Sequence, residues 1–216
     1  MEPKGTVDKI VVIGAGGHGR VCAEAAQAAG FEVLAFCDAA LETGSSVNGI
    51  EVLQAATAAE IVKKFGAADT GAVVAIGDND TRMKLIDEAE SLGLTLPAII
   101  HPSAIISPSA DIGPGTVVIA NSVVNANARV GRGCILNTAC SIDHDNMLAD
   151  GVQICPGVRS AGAVTIGEKT FVGTGAVITP GVTIGREVHI MAGALVISDI
   201  ADGKQVRRFA SRPDPS

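Results

Sequence analysis

The sequence predicts a two-part fold: a small α/β unit with a parallel sheet, followed by a parallel β-helix of six-residue repeats. Three observations carry this. The first hundred residues alternate apolar, β-rich runs with helix-like runs. A glycine-rich turn, Gly14-Ala15-Gly16-Gly17-His18-Gly19, joins the first strand to the first helix. From Ile106 an aliphatic residue then recurs at every sixth position but one as far as Val196.

The elements follow in order. "KIVVIGAG" (9–16) is an apolar strand ending in glycine. "HGRVCAEAAQAAG" (18–30) is alanine-rich and predicts a helix closed by Gly30. "FEVLAFCD" (31–38) is a second strand, and a weakly patterned stretch follows it. "TGAVVAIGDN" (70–79) is a third strand. "DTRMKLIDEAESLG" (80–93) has apolar residues at 83, 85, 86, 89 and 92, a helical spacing that starts at an Asp/Thr cap.

The second half follows a different rule. Of the sixteen positions from 106 to 196 in steps of six, only Ser160 is not aliphatic. Four residues after most of them stands a small or β-branched residue, among them Ala110, Thr116, Ser122, Ala128 and Cys134. Neither a 3.6-residue nor a two-residue period explains strict sixes over ninety residues. A triangular parallel β-helix does, with one repeat per side and an 18-residue coil. With aromatics at 2% and no Trp or Tyr, its core must be built from Val, Ile, Leu and Ala.

The glycine turn satisfies G-x-G-x-x-G between a strand and a helix, a Rossmann-like arrangement. Glycines let a phosphate approach the backbone, helix amides face the anion, and Asp38, ending the next strand, can accept from a ribose hydroxyl or a base. Gly77 would lie on the same carboxyl edge of the sheet. A ligand-free strand–helix turn is the plain structural alternative. Taken alone, this half suggests a nicotinamide dehydrogenase, but it spans only about a hundred residues and a β-helix follows. A nucleotide other than a dinucleotide fits better.

His144 lies two residues after Ile142 of the comb, flanked by Asp143 and Asp145. There it can project from the prism, with one aspartate fixing its tautomer and raising its basicity. A solvated structural histidine is the alternative. His189 lies far along the comb, no Cys-x-x-Cys occurs, and no metal site is expected.

Composition removes other classes. A net charge of −7 and the lack of stacking aromatics argue against nucleic acid as a partner. The one basic cluster, Arg207, Arg208 and Arg212, reads as a solvated tail. No uncharged run is long enough to span a membrane, and the N-terminus does not resemble a signal peptide. Five cysteines among apolar or small residues fit reduced, buried thiols in a cytoplasmic protein.

Together, "IGAGGHG", "AIGDNDTR", "IIHPSAIISPSA" and "IGPGTVVIANSVVNANARVGRGCILNTACSIDHD" resemble a bacterial family of sugar O- and N-acyltransferases. It includes sialic acid O-acetyltransferases and N-acetyltransferases of nucleotide-linked 4-amino-4,6-dideoxy sugars. The resemblance covers roughly residues 9–200. It implies a Rossmann-like nucleotide-sugar-binding domain at 1–102, a left-handed β-helix acyltransferase domain at 103–202, and a C-terminal tail at 203–216. It further implies acetyl-CoA as co-substrate and a homotrimer with sites between subunits. His144 matches the family's catalytic base and Asp145 its acidic neighbour. Gly16, Gly17, His18, Asp38 and Gly77 match nucleotide-sugar positions, and Gln153, Thr174 and Ala192 match acetyl-CoA positions. Gln153 stands where relatives commonly have a second histidine, and "QVRRFASRPDPS" replaces their Gly-Val-Pro-Ala ending.

The expected reaction is N-acetylation of the 4-amino group of a UDP- or GDP-linked 4-amino-4,6-dideoxy sugar, for surface-glycan synthesis. A backbone amide near Gly162 would serve the oxyanion. Sialic acid or polysaccharide O-acetylation is the enzyme alternative. An inactive nucleotide-sugar-binding scaffold is the alternative of another class.

Overall fold

The computed structural model describes residues 7–54 and 57–207. Arg208 and Arg212 of the basic cluster lie outside the described residues. The chain folds as two compact units, Met1–Ile100 and His101–Ser216.

In the first unit, strand β1 (Lys9–Ile13) lies inside a sheet and its last four residues are all buried. A parallel strand covered on both faces cannot alternate, which explains the unbroken apolar run. Helix α1 (Gly17–Ala28) leads to β2 (Glu32–Cys37) and packs with Cys22, Ala23, Ala25 and Ala26 inward. It stops at Gly30, whose φ of +95° suits glycine. There Phe31 N–H donates to Ala26 O and Gly30 N–H to Gln27 O, both at 3.0 Å, the Schellman pattern that the glycine predicts.

The weakly patterned stretch holds three elements: β3 (Ser46–Val47), β4 (Ile50–Leu53) and helix α2 (Ala58–Phe65). Only Ala58 and Ile61 of α2 are buried, too few to print a period. Its signal was the capping box between Thr57 and Glu60. Strand β5 (Gly71–Val74) ends well before residue 79, and helix α3 (Asn79–Ser91) starts one residue earlier than its sequence pattern suggests. Asp78 is its cap, accepting from Thr81 N–H at 2.8 Å, so Thr81 is held by the cap rather than acting as one. The strand order is β3-β4-β2-β1-β5, parallel throughout except for the β3–β4 pair. The chain leaves β1 toward β2 and later returns to its other side, so the glycine turn stands at the switch point of the sheet, where ligands of such sheets bind.

In the second unit every comb residue is the second residue of a two-residue strand. Each coil lies on the next with residues 18 apart in register, as in Val124, Ile142, Ser160, Ile178 and Val196. The strands form three parallel sheets, the sides of the prism. Interior comb residues such as Ile142, Ile154, Ile166 and Ile178 are fully buried. The corners take a left-handed residue three places after each comb position from Ile112 to Ile190. Asn127, Asp145, Ala163 and Glu187 fill such places with φ between 54° and 60°, a conformation costing a side chain other than Asn or Asp about 1 kcal/mol. The next residue again points inward. Where it is polar it is satisfied across coils: Thr116 and Thr170 donate at 2.8 Å to the carbonyls of Gly131 and Gly185, and Ser122 at 2.9 Å to that of Asn137. Successive coils approach so closely that a Cβ on Gly173 would lie 2.5 Å from Ala192 N. No described helix is long and apolar enough to cross a membrane.

Candidate functional site

The corner after Ile142 carries the one histidine of this unit that is bound to a carboxylate among the described residues. His144 Nδ1 lies 2.8 Å from Asp145 Oδ2. A carboxylate can only accept, so Nδ1 carries a proton and, in the neutral ring, Nε2 keeps its lone pair. The hydrogen bond to Asp145 holds His144 above the ordinary imidazole range, and the charges of Asp143 and Asp145 add to it. Asp145 is held below the usual carboxylate range by bonds from His144 and Asn127.

The neighbours of this pair are one coil away. Asn127 Nδ2 donates to Asp145 Oδ1 at 3.2 Å, and Asn125 Nδ2 to Asp143 Oδ1 at 3.0 Å. Asp143 Oδ1 also accepts from His144 N–H at 2.8 Å. On the other side lies Gly162, where a Cβ would collide with Nε2 and Cε1 of the imidazole. The glycine therefore makes room for the ring, and its backbone borders the basic nitrogen. Sequence reading found His144 and Asp145 but missed Asn125 and Asn127. Writing the chain in rows of 18 places each asparagine directly above its aspartate.

The residues matched to acetyl-CoA do not join His144 within one chain. Thr174 and Ala192 are exposed on a different corner, the one that follows Val172 and Ile190. They lie one coil apart, with Gly193 N–H donating to Thr174 O at 2.8 Å. One prism face separates the two corners, and it exposes Val177 and Leu195. Gln153 occupies the strand before that second corner, half-buried, and its Oε1 is a buried acceptor without a hydrogen-bond partner among the described residues. Such an atom fits a ligand or partner that brings an N–H or O–H donor.

All five cysteines are buried and none forms a disulfide. Burial pushes Cys22 and Cys37 up to about 12 and Cys140 and Cys155 up to about 11. They stay thiols at neutral pH, the wrong state for a nucleophile.

In the first unit the glycines of the turn divide into two kinds. A Cβ on Gly14 would come within 2.8 Å of Ile76 Cδ1, and one on Gly19 within 2.8 Å of Gly14 C. Those two are required by the packing of the turn itself. Gly16 and Gly77 have nothing within 4 Å of a Cβ, and Gly17 only the tip of Arg20. Gly16 is the N-cap of α1 and no side chain caps the helix, leaving its first amides directed outward.

Asp38 accepts from Ala15 N–H and Ala40 N–H, each at 2.9 Å. It braces the glycine turn and keeps a second lone pair on each oxygen. Beside it is a pocket of about 250 Å³ lined by Gly14, Asp38, Ala40 and Ile76, among others. His18 is held neutral, its pKa lowered to about 4 by burial and by the charge of Arg82. Its Nε2 lies 3.4 Å from Cys22 Sγ. Arg82, which sequence reading missed, is 1% exposed. It donates to Ile76 O at 3.0 Å and Asn79 Oδ1 at 2.6 Å, pinning the loop that carries Gly77.

Two family models and several solved structures match the chain. Residues 9–89 match the PglD N-terminal domain, and residues 163–198 match the bacterial transferase hexapeptide model of six repeats. The acetyltransferase domain of PglB from Neisseria gonorrhoeae, solved with acetyl coenzyme A, is 40% identical. It superposes with a TM-score of 0.87 over 93% of this chain and 96% of its own. A variant of perosamine N-acetyltransferase from Caulobacter crescentus, solved with CoA and GDP-perosamine, is 37% identical, with a TM-score of 0.85 over 91% of each chain. WeeI from Acinetobacter baumannii is 26% identical, with a TM-score of 0.81 over 91% of this chain and 95% of its own.

Proposed function

Since this chain belongs to the hexapeptide-repeat sugar acyltransferases, we propose that it moves the acetyl group of acetyl-CoA to the 4-amino group of a nucleotide-linked 4-amino-4,6-dideoxy sugar. The carrier is UDP or GDP, and the product serves surface-glycan synthesis in the cytoplasm. The observation that carries this reading is the His144–Asp145 pair at 2.8 Å, with the free nitrogen of the ring facing Gly162.

Acetyl-CoA supplies the acyl group as a thioester. His144 Nε2 takes the proton from the sugar nitrogen as that nitrogen forms its bond to the carbonyl carbon. Asp145 steadies the imidazolium that results, and Asn127 keeps the carboxylate in place. The Gly162 amide donates to the carbonyl oxygen as charge builds on it. When the C–S bond breaks, the imidazolium returns its proton to the departing sulfur. No covalent enzyme intermediate is required.

Residues 1–102 hold the nucleotide-sugar and 103–202 carry out the transfer. The outward amides at Gly16 and Gly17 take the phosphates, neutral His18 and Gly77 flank them, and Asp38 accepts from the ribose or base. Gln153, Thr174 and Ala192 line the coenzyme. They stand one prism face from His144, so a complete site takes its base from one subunit and its coenzyme groove from the next in a homotrimer. The exposed Val177 and Leu195 between the two corners suit such a contact.

Thiol release from acetyl-CoA, followed with a chromogenic disulfide, tests the reading against UDP- and GDP-linked 4-amino-4,6-dideoxy sugars and sialic acid. Turnover with an amino sugar, lost in His144→Asn, is expected. Turnover with sialic acid alone would make the enzyme an O-acetyltransferase. Nucleotide-sugar binding without turnover would make it a scaffold. Sedimentation of a stable monomer would defeat the shared site.

A further inference from the structure

The single break in the aliphatic comb has a partner. Ser160 is 3% exposed, and its Oγ donates to Asn146 Oδ1 at 2.7 Å. Asn146 is fully buried at an inward position where neighbouring repeats carry Val152, Val158 or Val164. Its Nδ2 donates to Asp143 O and to Ala161 O, both at 2.8 Å. The bond to Ala161 repeats a device of the whole prism, since Thr116, Ser122 and Thr170 also reach the carbonyl fifteen residues on. Asn146 adds a second arm of equal length to its own turn, and it needs a polar comb residue to satisfy the rest of its amide. Asp143 and Ala161 are the residues immediately before His144 and Gly162. One buried amide thus grips the backbone on both sides of the contact between the base and the glycine beneath it.

We propose that Asn146 and Ser160 are a positioning pair whose task is to seat the His144 imidazole over Gly162. The proposal rests on the role of His144 as base. A purely structural pair has no evident reason to be polar. Valine serves at both kinds of position elsewhere in the prism, and a buried amide and hydroxyl stabilise no better than well-packed aliphatic groups. The charged groups against His144 are Asp143 and Asp145. Ser160 hydrogen-bonds neither, and Asn146 meets Asp143 only through its carbonyl. The pair is uncharged, so it can move the titration of His144 only by moving the ring relative to those carboxylates.

The test uses the full chain with Ser160→Val and Ser160→Thr, which share a shape and differ by a hydroxyl, together with the double variant N146V/S160V. Three quantities are read: kcat and KM for acetyl transfer, the NMR titration midpoint of the His144 ring, and thermal melting. Ser160→Val and N146V/S160V should lose roughly 10- to 100-fold in kcat, as expected of a displaced base, with KM within about twofold. Their His144 midpoint should fall. Ser160→Thr should restore most of the rate and the midpoint. A folded N146V/S160V with wild-type kcat and an unmoved His144 midpoint would overturn the pair's role. If N146V/S160V melts below the assay temperature, the Val and Thr variants at Ser160 decide on the same criterion. If the wild type acetylates no acceptor, it is the proposed function that has failed. The ring titration then still decides the pair, a lowered midpoint supporting it and an unmoved one refuting it.

Discussion

The two units prepare their sites by opposite means. The α/β unit works by omission: Gly16, Gly17 and Gly77 leave open space before backbone amides, and two polar groups, buried Arg82 and half-buried Asp38, act by holding loops still. The β-helix works by addition. On a frame of monotonous aliphatic teeth it places one imidazole, braces it with a carboxylate, and braces the carboxylate from the coil before. Open turns adapt to a ligand that arrives, whereas a stacked prism holds a base at a fixed place. On the proposed function, recognition sits where the backbone is bare and proton transfer where neighbouring coils brace the side chains.

This contrast predicts that substitutions in the β-helix change kcat and those in the glycine turn change KM. The largest effect should come from His144→Asn, which removes the base and should cost about 10²–10⁴-fold in kcat. Its affinity for the nucleotide-sugar by calorimetry should be unchanged, and a matching loss of affinity would break the contrast. Gly162→Ala should follow at roughly 100-fold, since its methyl must displace the ring; a soaked crystal with the imidazole unmoved would refute this.

Asp145→Asn comes next, at roughly tenfold, and its pH profile tells more than its rate. The aspartate raises the pKa of His144, so in the wild type the base becomes available only above the ordinary imidazole range. Without the carboxylate the pKa falls, and the acid limb of kcat/KM should move to lower pH while the plateau drops. A limb that stays in place would mean that another group governs it. Gly16→Val should be the mildest for chemistry, raising KM for the sugar about tenfold with kcat and melting unchanged, as for lost uniform binding. Gly19→Ala sharpens the point from the other side. Its methyl meets the backbone of Gly14, so it should lower stability by about 1–3 kcal/mol.

How much of this was legible depended on the range of each interaction. The comb was legible because every tooth obeys one local rule, and His144 because a charged knot violates it. Gly30 announced the end of α1 for the same reason, a conformation that one residue type serves best. Helix α2 was not legible, because it buries only two side chains. Asn127 and Asn146 were missed, and Ser160 was seen only as a break in the comb, because their partners lie 14 to 18 residues away, a distance that means nothing until the coil length is known. Arg82 was missed because a buried guanidinium on a helix looks, in sequence, like a solvated one.

The register of the prism sets terms for how such a chain can change over generations. Two pairings at the His144 corner link residues one full coil apart, Asn127 with Asp145 and His144 with Gly162. Insertion of a single residue turns all later teeth outward. Insertion of six keeps the teeth buried but carries the next coil's partners to another edge. Only a gain or loss of eighteen outside the corner preserves both core and corner, so there the length of the gene is quantised in units of fifty-four nucleotides, while between these partners it is fixed at one coil.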